Sequence, residues 1–592
     1  MLKRPKRLQN VPVQQTPAVA PLPATRQMTV IAQDPSVKAR GTSGKILMAT
    51  ISIPAEDLIA GPMGYRVQVI DYDSTTGKYR GAHQLPATLA KEPKAWQRGE
   101  RSITSDYRFH AQNTYALVMK TLARFEFALG RRVGWSFGTH QLKVAPHGML
   151  DANAFYSPGE EGLVFGYFKG GSGKDVYTCL SHDIVVHETT HALIDALRER
   201  YMDPSSPDQG AFHEGFADVI ALLSVFSQRE LVQQLLSPSS GSNGANPTLL
   251  DAKNLTEAAL KKSALFGLAA QMGEELSNIR GEALRHSTTL EPDPKLLDTP
   301  EFLESHRRGE IFVAAVMNGF ISAWASRILK SGIEGQQKFP ILRVAEEGAD
   351  IAEDLATMWI RALDYMPPVH LEFADALSAA LTGDLEVRPD DSRFGLREHM
   401  MRSFRAFGIR PASKEPNGVW NPAPPGVRFD RVRFESMRTD KDEVFRFIWD
   451  NRKILELREG AYSEVLSVRP CVRIGIDGFV LRETVAEYYQ VARLMPKELK
   501  TYGIALPAEY LKELERRLRL AEEEVREGDE TTIPIYGGGV LVFDEYGRLK
   551  YHVKNDVFGA QRQAKRLRYL WESGLLEPGK GSARLRPARL ST

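Results

Sequence analysis

The segment HDIVVHETTHALIDAL sets two histidines, His187 and His191, four positions apart, with Glu188 directly after the first. On a helix, residues i and i+4 share one face, so both imidazoles can reach a single metal ion. Glu188 then lies beside the first ligand, where a carboxylate can take a proton from water that the ion has acidified. Such a site needs a third donor. GAFHEGFADVIALL offers Glu214, and Asp218 follows one turn later, placed to accept the remaining imidazole N–H of a ligand histidine and fix its tautomer. Both acids sit among Phe212, Phe216, Ala217, Val219 and Ile220, where a carboxylate without a metal or cationic partner is costly to bury. His213 adjoins Glu214 but points to another part of the helix, and it is read as a non-ligand. The expected chemistry is that of one zinc ion per chain on a His, His, Glu tripod.

Positioning these groups requires particular elements. The run from Ser181 onward is apolar enough at Ile184, Val185, Val186, Ala192, Leu193 and Ile194 to bury its helix, which holds the ligands rigidly. A second helix over 210–228 carries Glu214, and further helices are expected over 253–277, 309–330 and 343–363. Upstream, residues 106–129 have helical periodicity ending at Gly130, a C-cap residue. YRVQVIDYDSTTGKYRG reads as a hairpin, and LKVAP, ANAFY and LVFGYF read as strands. Strands followed by a helix bundle, with metal chemistry at the join, imply an α+β fold.

From Asn153 to His306 the chain resembles the thermolysin-like metallopeptidases over roughly residues 105–380. That family pairs HExxH with a downstream Glu-x-x-x-Asp, matched by Glu214 and Asp218. It also has an Asn-Ala-Phe-aromatic edge strand, matched by Asn153, Ala154, Phe155 and Tyr156, on which a peptide substrate pairs by strand addition. The resemblance implies a two-lobed catalytic core, strand-rich then helical, that hydrolyses peptide bonds. It implies further roles: Tyr201 and His306 on the developing oxyanion, and Arg285 on a substrate carbonyl. Ile184, Met272, Leu276 and Leu284 would line the pocket for the residue after the scissile bond, favouring cleavage before bulky hydrophobic residues. Of the family's calcium cluster, Asp183 and Glu274 match, but no glutamate stands near Val225, so the calcium set is incomplete and zinc alone is carried over.

The 592 residues allow two to four domains. The expected organisation is a disordered, basic and Pro-rich 1–45, a strand-rich lobe 46–205 and a helical lobe 206–412. A linker at 413–427, a C-terminal α+β region 428–578 without recognisable chemistry, and a basic tail 579–592 follow. In the C-terminal region, a charged helix from Glu509 to Glu527, a hairpin in GGGVLVFDEYGRLKYHV and a helix near Gln561 to Ser573 are expected. A net charge of +2, from 77 basic and 75 acidic residues, excludes a global field that would recruit nucleic acid. Two cysteines exclude a disulfide framework and fit a reducing compartment. With no signal-peptide core and no run of eighteen apolar residues, a cytoplasmic protein without a membrane partner is expected, export without a cleaved signal being the other route. Two rival readings stand beside a general peptidase. One is a latent or non-proteolytic zinc-fold protein acting through a C-terminal binding region, whose partner is unknown. The other is a target-selective regulatory or toxin-like protease. Intact Glu188 argues against the first.

Overall fold

A computed structural model describes residues 24–35, 46–83, 103–171, 173–237, 248–262, 287, 289–331, 336–475, 478–506, 508–522, 532–573 and 575. Helices and several separate sheets make up a mixed α and β architecture. The chain begins with strands β1 (Thr25–Ile31) and β2 (Met48–Pro54), paired antiparallel from Thr25↔Pro54 to Ile31↔Met48. This corrects the expectation of disorder through residue 45. TRQMTVI alternates, and it buries Met28 and Val30 against the core. The Pro, Ala and Gln content of the flanking sequence masks that alternation.

Next come β3 (Val67–Val69), β4 (Tyr72–Asp73) and β5 (Lys78–Tyr79). The expected hairpin forms only between β4 and β5, Tyr72 facing Tyr79. β3 instead pairs parallel with β6 (Leu142–Met149). With β7 (Ala154–Ser157), β8 (Gly162–Lys169) and β9 (Asp175–Tyr177) they form a five-stranded sheet in the order β3-β6-β8-β7, β9 also pairing with β8. Among the described residues β7 therefore has a sheet neighbour on one side only.

Helix α1 (Tyr107–Leu129) is N-capped by Asp106, whose side chain accepts from the Arg108 N–H, and ends where Gly130 turns left-handed at φ 67°. Behind the sheet lie α2 (His182–Leu197), α3 (Pro207–Phe226) and α4 (Arg229–Leu236). Ser206 caps α3 by accepting from the Gln209 N–H, and Pro207 fills the first helical position, where a missing N–H costs nothing. A short β10 (Leu249–Asp251) pairs with β11 (Lys338–Pro340). Between them α5 (Ser305–Ser331) runs through the core, and α6 (Ile341–Ala362), α7 (Phe373–Val387) and α8 (Leu396–Ala406) complete the helical part. Of the helix expected over 253–277, a four-residue helix Glu257–Leu260 is seen; 263–286 lie outside the described residues. Of the described helices, the Ser305–Lys330 stretch of α5 is by itself long and apolar enough to cross a membrane, yet 83% of that apolar stretch is buried inside the protein.

The C-terminal region holds α9 (Lys441–Asp450), then an antiparallel meander of β12 (Tyr462–Ile474), β13 (Val480–Leu494), β14 (Ile533–Phe543) and β15 (Leu549–Asn555). α10 (Ala508–Glu522) and α11 (Ala560–Glu572) accompany it. The β14–β15 hairpin and α11 stand where the sequence places them. The long β12–β13 pair was not expected. Nor is 413–427 a free connection, despite its prolines. The Trp420 indole donates to the Tyr365 carbonyl at 2.9 Å, its backbone N–H donates to Thr382 Oγ1 at 2.8 Å, and Ala423 N–H donates to the Lys550 carbonyl at 2.7 Å. One apolar core runs from β1 through the helices to Cys471, Val485, Val540 and Tyr551 of the C-terminal sheet. Beneath that join, Arg473 is 1% exposed and bridges Asp364 (2.5 Å) and Glu483, while Arg131 grips Asp364 through two bonds of 2.6 and 2.7 Å.

Candidate metal centre

α2 presents His187, Glu188 and His191, all buried, on one side. α3 supplies Glu214 from a second direction. α3 and α5 approach closely at Gly215 and Gly309; a Cβ at Gly215 would press on the Gly309 carbonyl, and one at Gly309 on the Ala211 carbonyl. Those missing side chains let the two backbones meet, which brings the first turn of α5 beside Glu214. Arg308 reinforces the join by reaching Asp208 at the start of α3 at 2.5 Å.

The donor atoms converge. His187 Nε2 and His191 Nε2 are 2.7 Å apart, and each is 3.6 Å from Glu214 Oε2. Tetrahedral coordination with bonds of about 2.1 Å sets ligand atoms roughly 3.4 Å apart. The His–Glu edges fit that figure, and the His–His edge needs to open by about 0.7 Å. Two imidazole nitrogens and one carboxylate oxygen are the donor set zinc takes in a site that keeps one position open. Burial raises the Glu214 pKa, but the His191 and His187 rings outweigh it and hold the carboxyl well below its usual range. Asp218 Oδ1 lies 2.6 Å from His187 Nδ1. A carboxylate there keeps the proton on Nδ1 and leaves the Nε2 lone pair for a metal. His191 Nδ1 is buried and has no hydrogen-bond partner among the described residues.

Glu188 is 3% exposed, and its Oε2 accepts the Tyr156 backbone N–H at 3.0 Å. That bond attaches the edge strand β7 to α2 at the acid beside the first ligand. Tyr156 makes a second attachment: its hydroxyl donates to Asp195 Oδ2 at 2.7 Å, and Ser136 Oγ donates to the same oxygen at 2.6 Å. Asn153 turns its Oδ1 back to the Ala154 N–H at 2.8 Å, and its carbonyl accepts from Gly166 at 2.8 Å. Asn153 and Ala154 thus sit at the start of the edge strand.

His306 opens α5, half-exposed, with Nε2 3.8 Å from Glu214 Oε2. Its Nδ1 meets Glu304 Oε1 at 2.8 Å, while the Glu304 carboxylate also accepts the backbone N–H groups of His306 (3.0 Å) and Arg307 (2.8 Å). One carboxylate therefore caps the helix and orients the imidazole. The bond to Glu304 raises His306 to about 9, against the effect of burial. Glu304 was not singled out in the sequence. An acid two positions before a helix-opening histidine is the signal that could have found it.

Tyr201 is a correction. It is 2% exposed, and its hydroxyl donates to the Pro367 carbonyl at 2.8 Å. A phenol committed to a buried carbonyl is not aimed at an oxyanion. His213, set aside as a ligand, stacks flat on His191 with ring centres 4.6 Å apart, and burial with the neighbouring His191 pushes it down to about 3. Ile184 is 1% exposed, inside the apolar core. Met272, Leu276, Leu284, Arg285 and Glu274 lie outside the described residues, and Asp183 is held by Ser181 at 2.5 Å near the start of α2. Comparison with protein-family models and with curated proteins returns no match.

Proposed function

We propose that this protein is a zinc-dependent endopeptidase with the two-lobed architecture of the thermolysin-like enzymes, acting on peptide or protein substrates. The observation that carries the reading is the convergence of His187, His191 and Glu214 directly beside Glu188, itself hydrogen-bonded to an edge strand. Zinc held by these three residues would supply Lewis-acid polarisation of a carbonyl and a water acidic enough to react near neutral pH.

The protein's own groups account for the rest. An extended substrate adds to the free edge of β7 through main-chain hydrogen bonds at Ala154, on the side away from β8, which binds a peptide with little demand on its sequence. Glu188 takes the proton of the attacking water and delivers it to the leaving amine. Its low exposure keeps bulk water from competing for that proton. His306, held by Glu304, donates from Nε2 toward the charge that develops on the carbonyl oxygen. Asp218 keeps His187 in the ligating tautomer. Cleavage before bulky hydrophobic residues belongs to the same proposal. It rests on the apolar character of Ile184, Met272, Leu276 and Leu284, of which Ile184 alone is among the described residues.

The test pairs metal content with hydrolysis of casein for the wild type and Glu188→Gln. The variant is expected to keep the wild-type zinc content and lose at least about a hundredfold in turnover, the scale of a lost general base. Near-normal turnover in Glu188→Gln, or a wild type that binds zinc but cleaves no unstructured protein, would sink the peptidase reading.

A further inference from the structure

A second group of metal-type donors lies on the far side of the Cys179–Ser181 turn. His110 of α1, His147 of β6 and Cys179 each place one ligand atom within 4.8 Å of the others. All three are 0% exposed. The hydrogen bonds around them settle the tautomers. His110 Nε2 lies 3.0 Å from the Thr104 carbonyl and His147 Nδ1 lies 2.8 Å from Asp71 Oδ1. Both partners only accept, so each of those nitrogens carries the ring proton. The inner nitrogens, His110 Nδ1 and His147 Nε2, then face one another at 2.8 Å as two lone pairs. Two lone pairs do not hold each other, and something electrophilic belongs beside them.

A shared proton would make the pair a cation that Asp71, 2.8 Å from His147, balances, but it does not account for the Cys179 sulfur placed in the same group. Tyr107 stands 4.5 Å from His147 and Tyr177 stands 4.7 Å from His110, centre to centre, and these rings wall the pocket. The same carboxylate–imidazole–imidazole grouping occurs at the first centre, where Asp218 backs His187 and His187 faces His191 at 2.7 Å. We propose that His110, His147 and Cys179 bind a second zinc ion, sealed from solvent. Two imidazoles and a thiolate are donors that zinc accepts. The Cys179 thiolate and Asp71 supply two negative charges against the ion's two positive ones, while Arg80 lies 3.3 Å from Asp73 and 3.9 Å from Asp71, and His83 Nε2 lies 3.6 Å from Asp71 Oδ2. Binding releases the Cys179 thiol proton to solvent. The ion would tie α1 and β6 to the turn that leads into α2, eight residues before His187, and so hold the start of the catalytic helix. The zinc complement becomes two per chain instead of one.

Glu214→Ala removes a ligand of the first centre only, and the chain's other cysteine, Cys471, lies in the C-terminal sheet. The purified Glu214→Ala protein is expected to retain one zinc per chain with sulfur among its nearest neighbours by X-ray absorption. Its cobalt-substituted form is expected to show thiolate-to-cobalt absorption that Cys471→Ser keeps and Cys179→Ser abolishes. The X-ray measurement needs no change at the second site, so a Cys179 variant that fails to fold leaves the test intact. A Glu214→Ala protein free of metal, or one whose zinc has only nitrogen and oxygen neighbours, would overturn the proposal, as would thiolate absorption that survives Cys179→Ser. Because Glu188→Gln reads peptidase activity independently, failure of either site is distinguishable from failure of the other.

Discussion

Replacing Asp218 by Asn tests how much of the proposed metal centre depends on a residue outside its donor set. The substitution keeps size and removes the charge that holds the His187 Nδ1 proton at 2.6 Å. A hydrogen bond to a charged group contributes about 1.5–3 kcal/mol, and loss of such an outer carboxylate typically lowers metal affinity about 10–100-fold. The Asp218 side chain is 34% exposed, so solvent screens part of its charge and the lower end applies. About 1.4 kcal/mol, or tenfold, is expected. The assay is casein hydrolysis across a series of free zinc concentrations set by a chelator, which reports the first centre alone because the proposed activity requires it. Half-maximal activity should move to about tenfold higher zinc, with most of the plateau recovered. An unchanged midpoint would refute the claim that Asp218 sets the tautomer. A plateau that no zinc restores, in a protein with native circular dichroism, would show instead that Asp218 acts in the chemistry.

Three other outcomes are expected. Burial holds His182, His370 and His552 at about 3 in the folded protein, below the ordinary 6.5. Unfolding then takes up protons below pH 6.5, so the stability they contribute is full above that pH and is lost as pH falls toward 3, each at up to about 1.4 kcal/mol per pH unit; denaturation midpoints from pH 7 to 4 should fall, and less steeply in His552→Gln. Arg473→Met leaves Asp364 to Arg131 and Glu483 to Lys550, and removal of one partner from a buried pair costs about 3–5 kcal/mol, here near the lower figure; urea unfolding should show it, with much of the loss restored by adding Glu483→Met. Gly130→Ala should lower the melting temperature by several degrees, because a Cβ would overlap the Val472 carbonyl and the left-handed φ costs roughly 1 kcal/mol more for alanine.

Local periodicity carried much of the chain. The 3.6-residue repeat dictates that His187 and His191 share a face, and the apolar stripes of α1, α2, α3, α5 and α6 mark helices that the fold contains at nearly the expected bounds. Composition misled where it was averaged: the proline-rich flanks hid β1, and the prolines of 413–427 hid a segment bonded to Tyr365, Thr382 and Lys550. Spacing also failed at Tyr201, since the direction of its hydroxyl is set by a carbonyl 166 residues away.

The sequence by itself determined that His187, Glu188 and His191 share one helix and that Glu214 and Asp218 stand one turn apart on the next, because each grouping follows from the pitch of its own helix. Only the tertiary structure decided that two glycines let α3 and α5 meet, that Glu304 holds His306, and that His110, His147 and Cys179 share one dry pocket. Those groups come from separate elements, and no local repeat records which backbones will pack together.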